Sequence, residues 1–114
     1  MLLADANLES PQSVALSCGQ AVVFTRPHAG RPHGNEDALG IFQLEPDRVW
    51  LAVADGVGGL PRGREAAARV IEILGEPQSQ DNDAVIETRI QRANQALLEQ
   101  LPGSATTISI VEIS

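Results

Sequence analysis

The segment "VWLAVADGVGG", which starts at Val49, constrains the fold most strongly because it joins an apolar run to a glycine-rich turn. The branched and aromatic residues of the run favour a β-strand at residues 49–54 that is buried on both faces. The glycines that follow permit turn conformations that are closed to larger residues. The sequence therefore predicts that one carboxylate, that of Asp55, stands at the end of a buried strand.

A helix is predicted directly after this turn, at residues 64–74. Its apolar residues recur at helical spacing and comprise Ala67, Val70, Ile71 and Leu74. Gly75 stands where such a helix would end. Taken alone, the dipeptide Asp55-Gly56 is equally typical of a hairpin turn, but the helical pattern favours the order strand, loop, helix. The loop carries neither glycine-rich nucleotide-binding signature and no lysine, so a nucleotide-binding loop is not predicted.

A second acidic segment, "GNEDALGIF", lies upstream of the first. Its acidic pair comes directly before a predicted strand at residues 38–44, and the turn "EPDR" joins that strand to the next one. Solvated loop charges are the alternative interpretation of this pair by itself. Magnesium and manganese prefer carboxylate, carbonyl and water oxygens as ligands. The candidate ligands are therefore Glu36, Asp37, Asp55 and the backbone carbonyl of Gly56.

Two further strands and one helix complete the predicted secondary structure. We expect strands at residues 20–26 and 106–113 and a second helix at residues 84–101. An apolar stripe recurs at helical spacing along this helix and comprises Ile86, Ile90, Ala93, Leu97 and Leu101. Such a stripe is typical of a helix face that packs into a core, so no cofactor site is expected there.

Four motifs carry a family resemblance. They are "NEDA" from Asn35, "VADGVGG" from Val53, "GGLPRGREAA" from Gly58 and "GSATTISIV" from Gly103. They resemble, in the same order, the first motifs of the metal-dependent serine/threonine phosphatases of the protein phosphatase 2C family. The resemblance covers about residues 22–113, and several spaced motifs are more specific than one short match.

This resemblance implies an α+β fold and a partial catalytic domain. The fold would be a portion of an α-β-β-α four-layer sandwich, in which antiparallel sheets are flanked by helices. Residues 1–19 would form an amino-terminal extension, and residues 20–114 would form the amino-terminal part of the domain. The family domain is considerably longer, and its later half brings further aspartates to the metal centre. We therefore expect that the chain as given does not bind two metal ions tightly.

The resemblance also implies a centre with two Mg²⁺ or Mn²⁺ ions. Asp55 would bridge both ions, and the Gly56 carbonyl and Glu36 would complete one side. Asp37 would support the centre directly or through water. Arg31 is the best match for the arginine that grips the substrate phosphate in the family, although one residue more than usual separates it from Glu36.

Two positions depart from the family pattern. Many eukaryotic members have a histidine, proposed as general acid, where this chain has Val57, so no imidazole is available there. The family strand that begins with glycine and two threonines begins here with Ala105. Alanine replaces glycine here, so a neighbouring backbone must leave room for one methyl group.

The expected activity is that of a metal-dependent serine/threonine protein phosphatase. It would hydrolyse phosphoserine and phosphothreonine by attack of a metal-activated water, and its partners would be a phosphorylated protein substrate and a cognate serine/threonine kinase pathway. We expect the chain as given to be inactive by itself. The alternative is a non-catalytic, phosphatase-like module, a pseudophosphatase with a binding or regulatory role.

Composition limits the other classes of function. The formal net charge of -7 and the absence of lysine argue against nucleic acid as a partner. The single Cys18 excludes an internal disulfide and a cysteine-rich zinc site, and we expect it to be a small buried hydrophobe. His28 and His33 lack the partners of a typical zinc site. Without a signal-peptide pattern or a long apolar stretch, we expect a cytoplasmic protein that does not contact a membrane.

Overall fold

The computed structural model describes residues 1–30, 34–77 and 86–114 as an α+β fold. The strands are β1 (Leu2–Ala4), β2 (Gln12–Leu16), β3 (Gly19–Val23), β4 (Asp37–Glu45), β5 (Arg48–Gly56) and β6 (Thr106–Ile113), and the helices are α1 (Gly63–Leu74) and α2 (Ile86–Gln100). Four strands form an antiparallel sheet in the order β1-β4-β5-β6, and β2 pairs with β3 in a separate antiparallel hairpin. The predicted fold class, α+β with antiparallel sheets and helices, is confirmed, and it is compatible with part of the expected sandwich.

The hairpin of β4 and β5 forms the centre of the main sheet. Its two strands pair from Asp37 opposite Asp55 towards the predicted turn, which lies at residues 46–47. Small residues occupy the face that packs against the helices, and they are Ala38, Gly40, Ala52 and Ala54. A Cβ added at Gly40 would come within 2.9 Å of the Ile71 side chain. The small residues therefore allow α1 to lie close against the sheet.

The core lies between this face of the sheet and α1. Side chains at helical spacing fill it, and those buried on α1 include Ala66, Ala67, Val70, Ile71, Ile73 and Leu74. From α2, Ala93 is buried in the same cluster and Leu97 packs against it. The first predicted helix is confirmed and begins one residue earlier than expected, after Arg62 in a left-handed backbone conformation with φ of 56°.

The predicted strands are confirmed with small shifts at their ends. β3 ends at Val23, three residues before the predicted end at residue 26, whereas β6 has the predicted bounds. β1 and β2 were not predicted, because strands of three and five residues give little periodic signal. β1 pairs with β4 within the main sheet, while the domain boundary at residue 19 stays a prediction. Residues 84 and 85 of the second predicted helix lie outside the described residues.

Two predictions about side-chain burial are wrong. Ile90, expected in the core stripe of α2, is 38% exposed, whereas the neighbouring Arg89 is only 1% exposed. Arg89 is buried because its guanidinium donates hydrogen bonds of 2.7 Å to the carbonyls of Leu74 and Glu76. Cys18, expected to be buried, is exposed, since it lies in the turn between β2 and β3.

Candidate functional site

Two aspartates face each other at one end of the central hairpin. Asp37 is the first residue of β4, Asp55 is the last but one of β5, and the strand register pairs them directly. Directly paired residues of antiparallel strands project from the same face, with Cβ atoms about 5 Å apart. The hairpin thus brings together two carboxylates that the sequence separates.

An open cavity of about 390 Å³ borders both aspartates. The polar side chains in its lining are those of Arg26, His28, Asn35, Glu36, Asp37 and Asp55. Glu36 also borders a neighbouring cavity of about 440 Å³, which Arg62 and Arg64 line from the start of α1. The three predicted carboxylates therefore lie around one concave surface, and two arginines line the neighbouring cavity that Glu36 also borders.

The loop that begins at Gly56 is hydrogen-bonded directly to the acidic segment. The Gly56 N–H donates a hydrogen bond of 3.0 Å to the Glu36 carbonyl, and the Val57 N–H donates one of 2.9 Å to the Ala105 carbonyl. A Cβ added at Gly56 would overlap the carbonyl of Gly63 and lie 2.9 Å from the carbonyl oxygen of Glu36. Glycine is required at this position because three backbone segments approach one another there.

Asn35 is a buried residue whose hydrogen bonds fix the acidic segment. It is only 2% exposed, and its side-chain amide donates hydrogen bonds of 2.9 Å to the Ala6 carbonyl and 2.7 Å to the Thr25 hydroxyl. Its side-chain oxygen accepts a hydrogen bond of 3.0 Å from the Asp37 N–H. A buried amide with this many partners fixes the local backbone, because leaving any of them unpaired would be costly.

Sequence reasoning identified some of these residues and missed others. Asn35 belongs to the "NEDA" motif, but the motif alone gives it no role. The sequence predicts Arg26 as the last residue of a strand, whereas Arg26 lies three residues after the end of β3 and lines the cavity together with His28. A basic residue just after a strand and ten positions before the acidic pair was the available signal. Arg31, the predicted phosphate ligand, lies outside the described residues.

The charges of the cavity favour a cation as its occupant. Asp37 and Asp55 are like charges in directly opposite positions, which is unfavourable in a sheet unless a positive charge lies between or beside them. Carboxylate and carbonyl oxygens are the donors that Mg²⁺ and Mn²⁺ prefer, so the donor set fits these ions in its chemistry. Within residues 1–30, 34–77 and 86–114, no group of three or more histidine, cysteine or acidic side chains is already gathered closely enough to hold a metal ion.

Comparison with family models, curated proteins and solved structures gave no significant match. The resemblance to the protein phosphatase 2C family therefore rests on the four sequence motifs alone. Neither helix in the described part of the chain combines the length and the apolar character needed to cross a membrane.

Proposed function

We propose that this protein is a metal-dependent phosphatase that acts on phosphoserine and phosphothreonine in a protein substrate. The observation that carries the proposal is the pairing of Asp37 with Asp55 on one face of the sheet, at a cavity that Glu36 also lines. The motif resemblance supports the same assignment. A cytoplasmic location and a cognate serine/threonine kinase pathway belong to this proposal.

The chain offers separate groups for the metal and for the phosphate. Asp55, Glu36 and the Gly56 carbonyl would hold Mg²⁺ or Mn²⁺, with Asp37 in support. When bound, such ions supply positive charge and lower the pKa of a water molecule. Arg26 lines the same cavity, and its guanidinium is suited to phosphate oxygens because its donors match them geometrically.

Arg31 remains a second candidate for the phosphate contact. It follows Gly30, five residues after Arg26, so the two arginines can be compared by the same substitution. Replacement of the arginine that binds the phosphate should raise the Kd for a phosphothreonine peptide. Replacement of the other arginine should leave this Kd close to that of the wild type.

A non-catalytic, phosphatase-like module is the second candidate function. The sequence leaves this alternative open, because the resemblance covers only the first motifs of the family. Weak binding of one ion would still be expected, because the facing carboxylates repel each other without a cation. Such a module would bind its partner without hydrolysing a phosphate ester.

Manganese titration of the 114-residue chain by calorimetry tests the metal centre. We expect weak binding, with a Kd of about 10⁻⁴ to 10⁻³ M, since few protein ligands leave the ion largely hydrated. Asp55→Asn should weaken it at least about tenfold, because an amide supplies no negative charge. Asp47→Asn is the matched control, since Asp47 lies in the exposed turn at the opposite end of the same hairpin.

Release of phosphate from a phosphothreonine peptide then separates the two functions. Manganese-dependent release that is lost in Asp55→Asn and kept in Asp47→Asn would support a phosphatase. Manganese binding without release would make the chain as given a non-catalytic module, in agreement with the expectation that it is inactive by itself. If the titrations of the wild type and Asp55→Asn were the same, Asp55 would have no place in a metal centre and the proposal would fail.

A further inference from the structure

Asp5, in the turn after β1, contacts the acidic segment although 30 positions separate it from Asn35. Asp5 has a φ of 49°, a left-handed conformation that aspartate tolerates better than most residues. Its Oδ1 accepts a hydrogen bond of 3.0 Å from the N–H of Asn35, and its Oδ2 lies 3.3 Å from Nη1 of Arg64. One carboxylate thus links the acidic segment to the first turn of α1.

The backbone of the acidic segment is shaped to receive this carboxylate. Gly34 has a φ of 75°, and a Cβ added there would lie 2.5 Å from Oδ1 of Asp5 and 3.2 Å from Nη1 of Arg64. Ala6, which follows Asp5, accepts a hydrogen bond from the Asn35 side chain through its carbonyl. Asp5 and Ala6 together therefore contact both the backbone and the side chain of Asn35.

We infer that Asp5 is a positioning residue that holds Asn35, and through it Asp37, in the orientation that presents the acidic residues to the cavity. Asp5 is absent from the lining of both neighbouring cavities, so it acts through Asn35. The effect on metal affinity rests on the proposed function. The effect on the backbone of the acidic segment does not.

Of the two contacts that Asp5 makes, the hydrogen bond to Asn35 should dominate. The side chains of Asp5 and Arg64 are 49% and 41% exposed, and ion pairs as exposed as this contribute little because solvent screens them. The N–H of Asn35 belongs to a residue that is only 2% exposed. Losing its acceptor leaves a shielded donor unpaired, which is the costlier change.

Three variants separate these two contacts. Asp5→Gly removes the carboxylate but keeps a residue that readily adopts a positive φ. Asp5→Asn retains a side-chain oxygen for the Asn35 N–H and loses the charge opposite Arg64. Arg64→Gln removes the positive charge of the ion pair and keeps the Asp5 carboxylate. We expect a large effect only from Asp5→Gly.

Amide hydrogen exchange measured by NMR is the first readout. In Asp5→Gly the N–H groups of Asn35 and Asp37 should exchange at least about ten times faster than in the wild type, whereas Asp5→Asn and Arg64→Gln should stay within about threefold. The indole N–H of Trp50 is the internal control, because it lies at the other end of the hairpin and reports on the fold as a whole. Unchanged exchange at Asn35 in Asp5→Gly would overturn the inference, as would equal acceleration at Asn35 and Trp50.

Manganese titration of the same variants is the second readout. Residues that orient metal ligands typically change affinity by about tenfold or more when they are replaced, so Asp5→Gly should bind manganese about tenfold more weakly than the wild type. Unchanged affinity in Asp5→Gly, with wild-type binding intact, would overturn the role in positioning the ligands. If the wild type itself binds no manganese, the proposed function fails, and the exchange experiment alone decides whether Asp5 positions the acidic segment.

Discussion

The two ends of the β4–β5 hairpin differ in the neighbours of their charged residues. At the acidic end, Asp37 and Asp55 face each other beside an open cavity. At the other end, which we call the tryptophan end, Trp50 is fully buried and its indole N–H donates a hydrogen bond of 2.6 Å to Glu112. The guanidinium groups of Arg89 and Arg48 lie 5.4 Å and 5.9 Å from the centre of the Trp50 ring.

The neighbours of the carboxylates differ between the two ends. At the tryptophan end, Glu112 accepts hydrogen bonds from Trp50 and from Arg48, the latter at 2.9 Å. These interactions hold the pKa of the Glu112 carboxyl below its ordinary value, chiefly through Trp50 and then through Arg48. The acidic end instead places Asp37 opposite Asp55. The contrast lies in the neighbours of these carboxylates, a tryptophan and an arginine for Glu112 and a second aspartate for Asp55.

The largest expected effect concerns Arg89 at the tryptophan end. Arg89→Ala should lower the free energy of unfolding by roughly 3 kcal/mol, because it leaves two carbonyls without donors and opens a cavity beside Trp50. Urea denaturation measures this loss. Arg92→Ala is the control, since Arg92 pairs with Glu76 at 3.7 Å on the exposed side of α2, and it should cost less than about 1 kcal/mol. Equal losses would mean that the buried arginine contributes no more than an exposed one.

A close backbone approach at the acidic end gives the next largest effect. Gly56→Ala should cost about 2 kcal/mol, because its Cβ would overlap the Gly63 carbonyl. Gly59→Ala should cost only about 1 kcal/mol, since no atom lies within 4 Å of an added Cβ and only the positive φ of 87° is unfavourable. Thermal unfolding of the two variants compares them. A smaller loss for Gly56→Ala than for Gly59→Ala would show that the loop is not closely packed.

Removing one of the facing charges should have a small effect of opposite sign. Without metal, Asp55→Asn should raise the free energy of unfolding by up to about 0.5 kcal/mol, because a like-charge pair is relieved. With manganese in excess, the melting temperature of the wild type should rise and that of the variant should not. Differential scanning fluorimetry with and without manganese checks both parts. Destabilisation of Asp55→Asn without metal would contradict the account of the acidic end.

The smallest effect is a pH dependence at the tryptophan end. Because the folded-state pKa of Glu112 is lowered, its contribution to stability is fully present above the ordinary glutamate pKa and is lost as the pH falls through the lowered value. Urea midpoints measured from about pH 6 to about pH 3 should therefore fall more steeply for the wild type than for Glu112→Gln. Parallel curves would show that the interactions with Trp50 and Arg48 do not favour the ionised carboxylate.

Much of the acidic end followed from local sequence patterns. The run that ends at Asp55, the glycines after it and the spacing of the next helix predicted the order strand, loop, helix, and the turn "EPDR" predicted the hairpin. Periodicity identifies such elements because each depends on neighbours within a few positions. The candidate ligands Glu36, Asp37 and Asp55 lie around one cavity, and their role as metal ligands stays a prediction.

The tertiary structure alone decided the contacts between distant segments. Asp5 reaches Asn35 across 30 positions, and Trp50 reaches Glu112 across 62. No periodic pattern contains such pairs. They depend on the order of the strands in the sheet and on which strand ends lie side by side. Arg89 shows the same limit, since its long side chain is buried only because the end of α1 supplies two carbonyls. The sequence by itself determined the elements and the acidic residues between them, and three-dimensional packing decided which buried polar groups hold those residues in place.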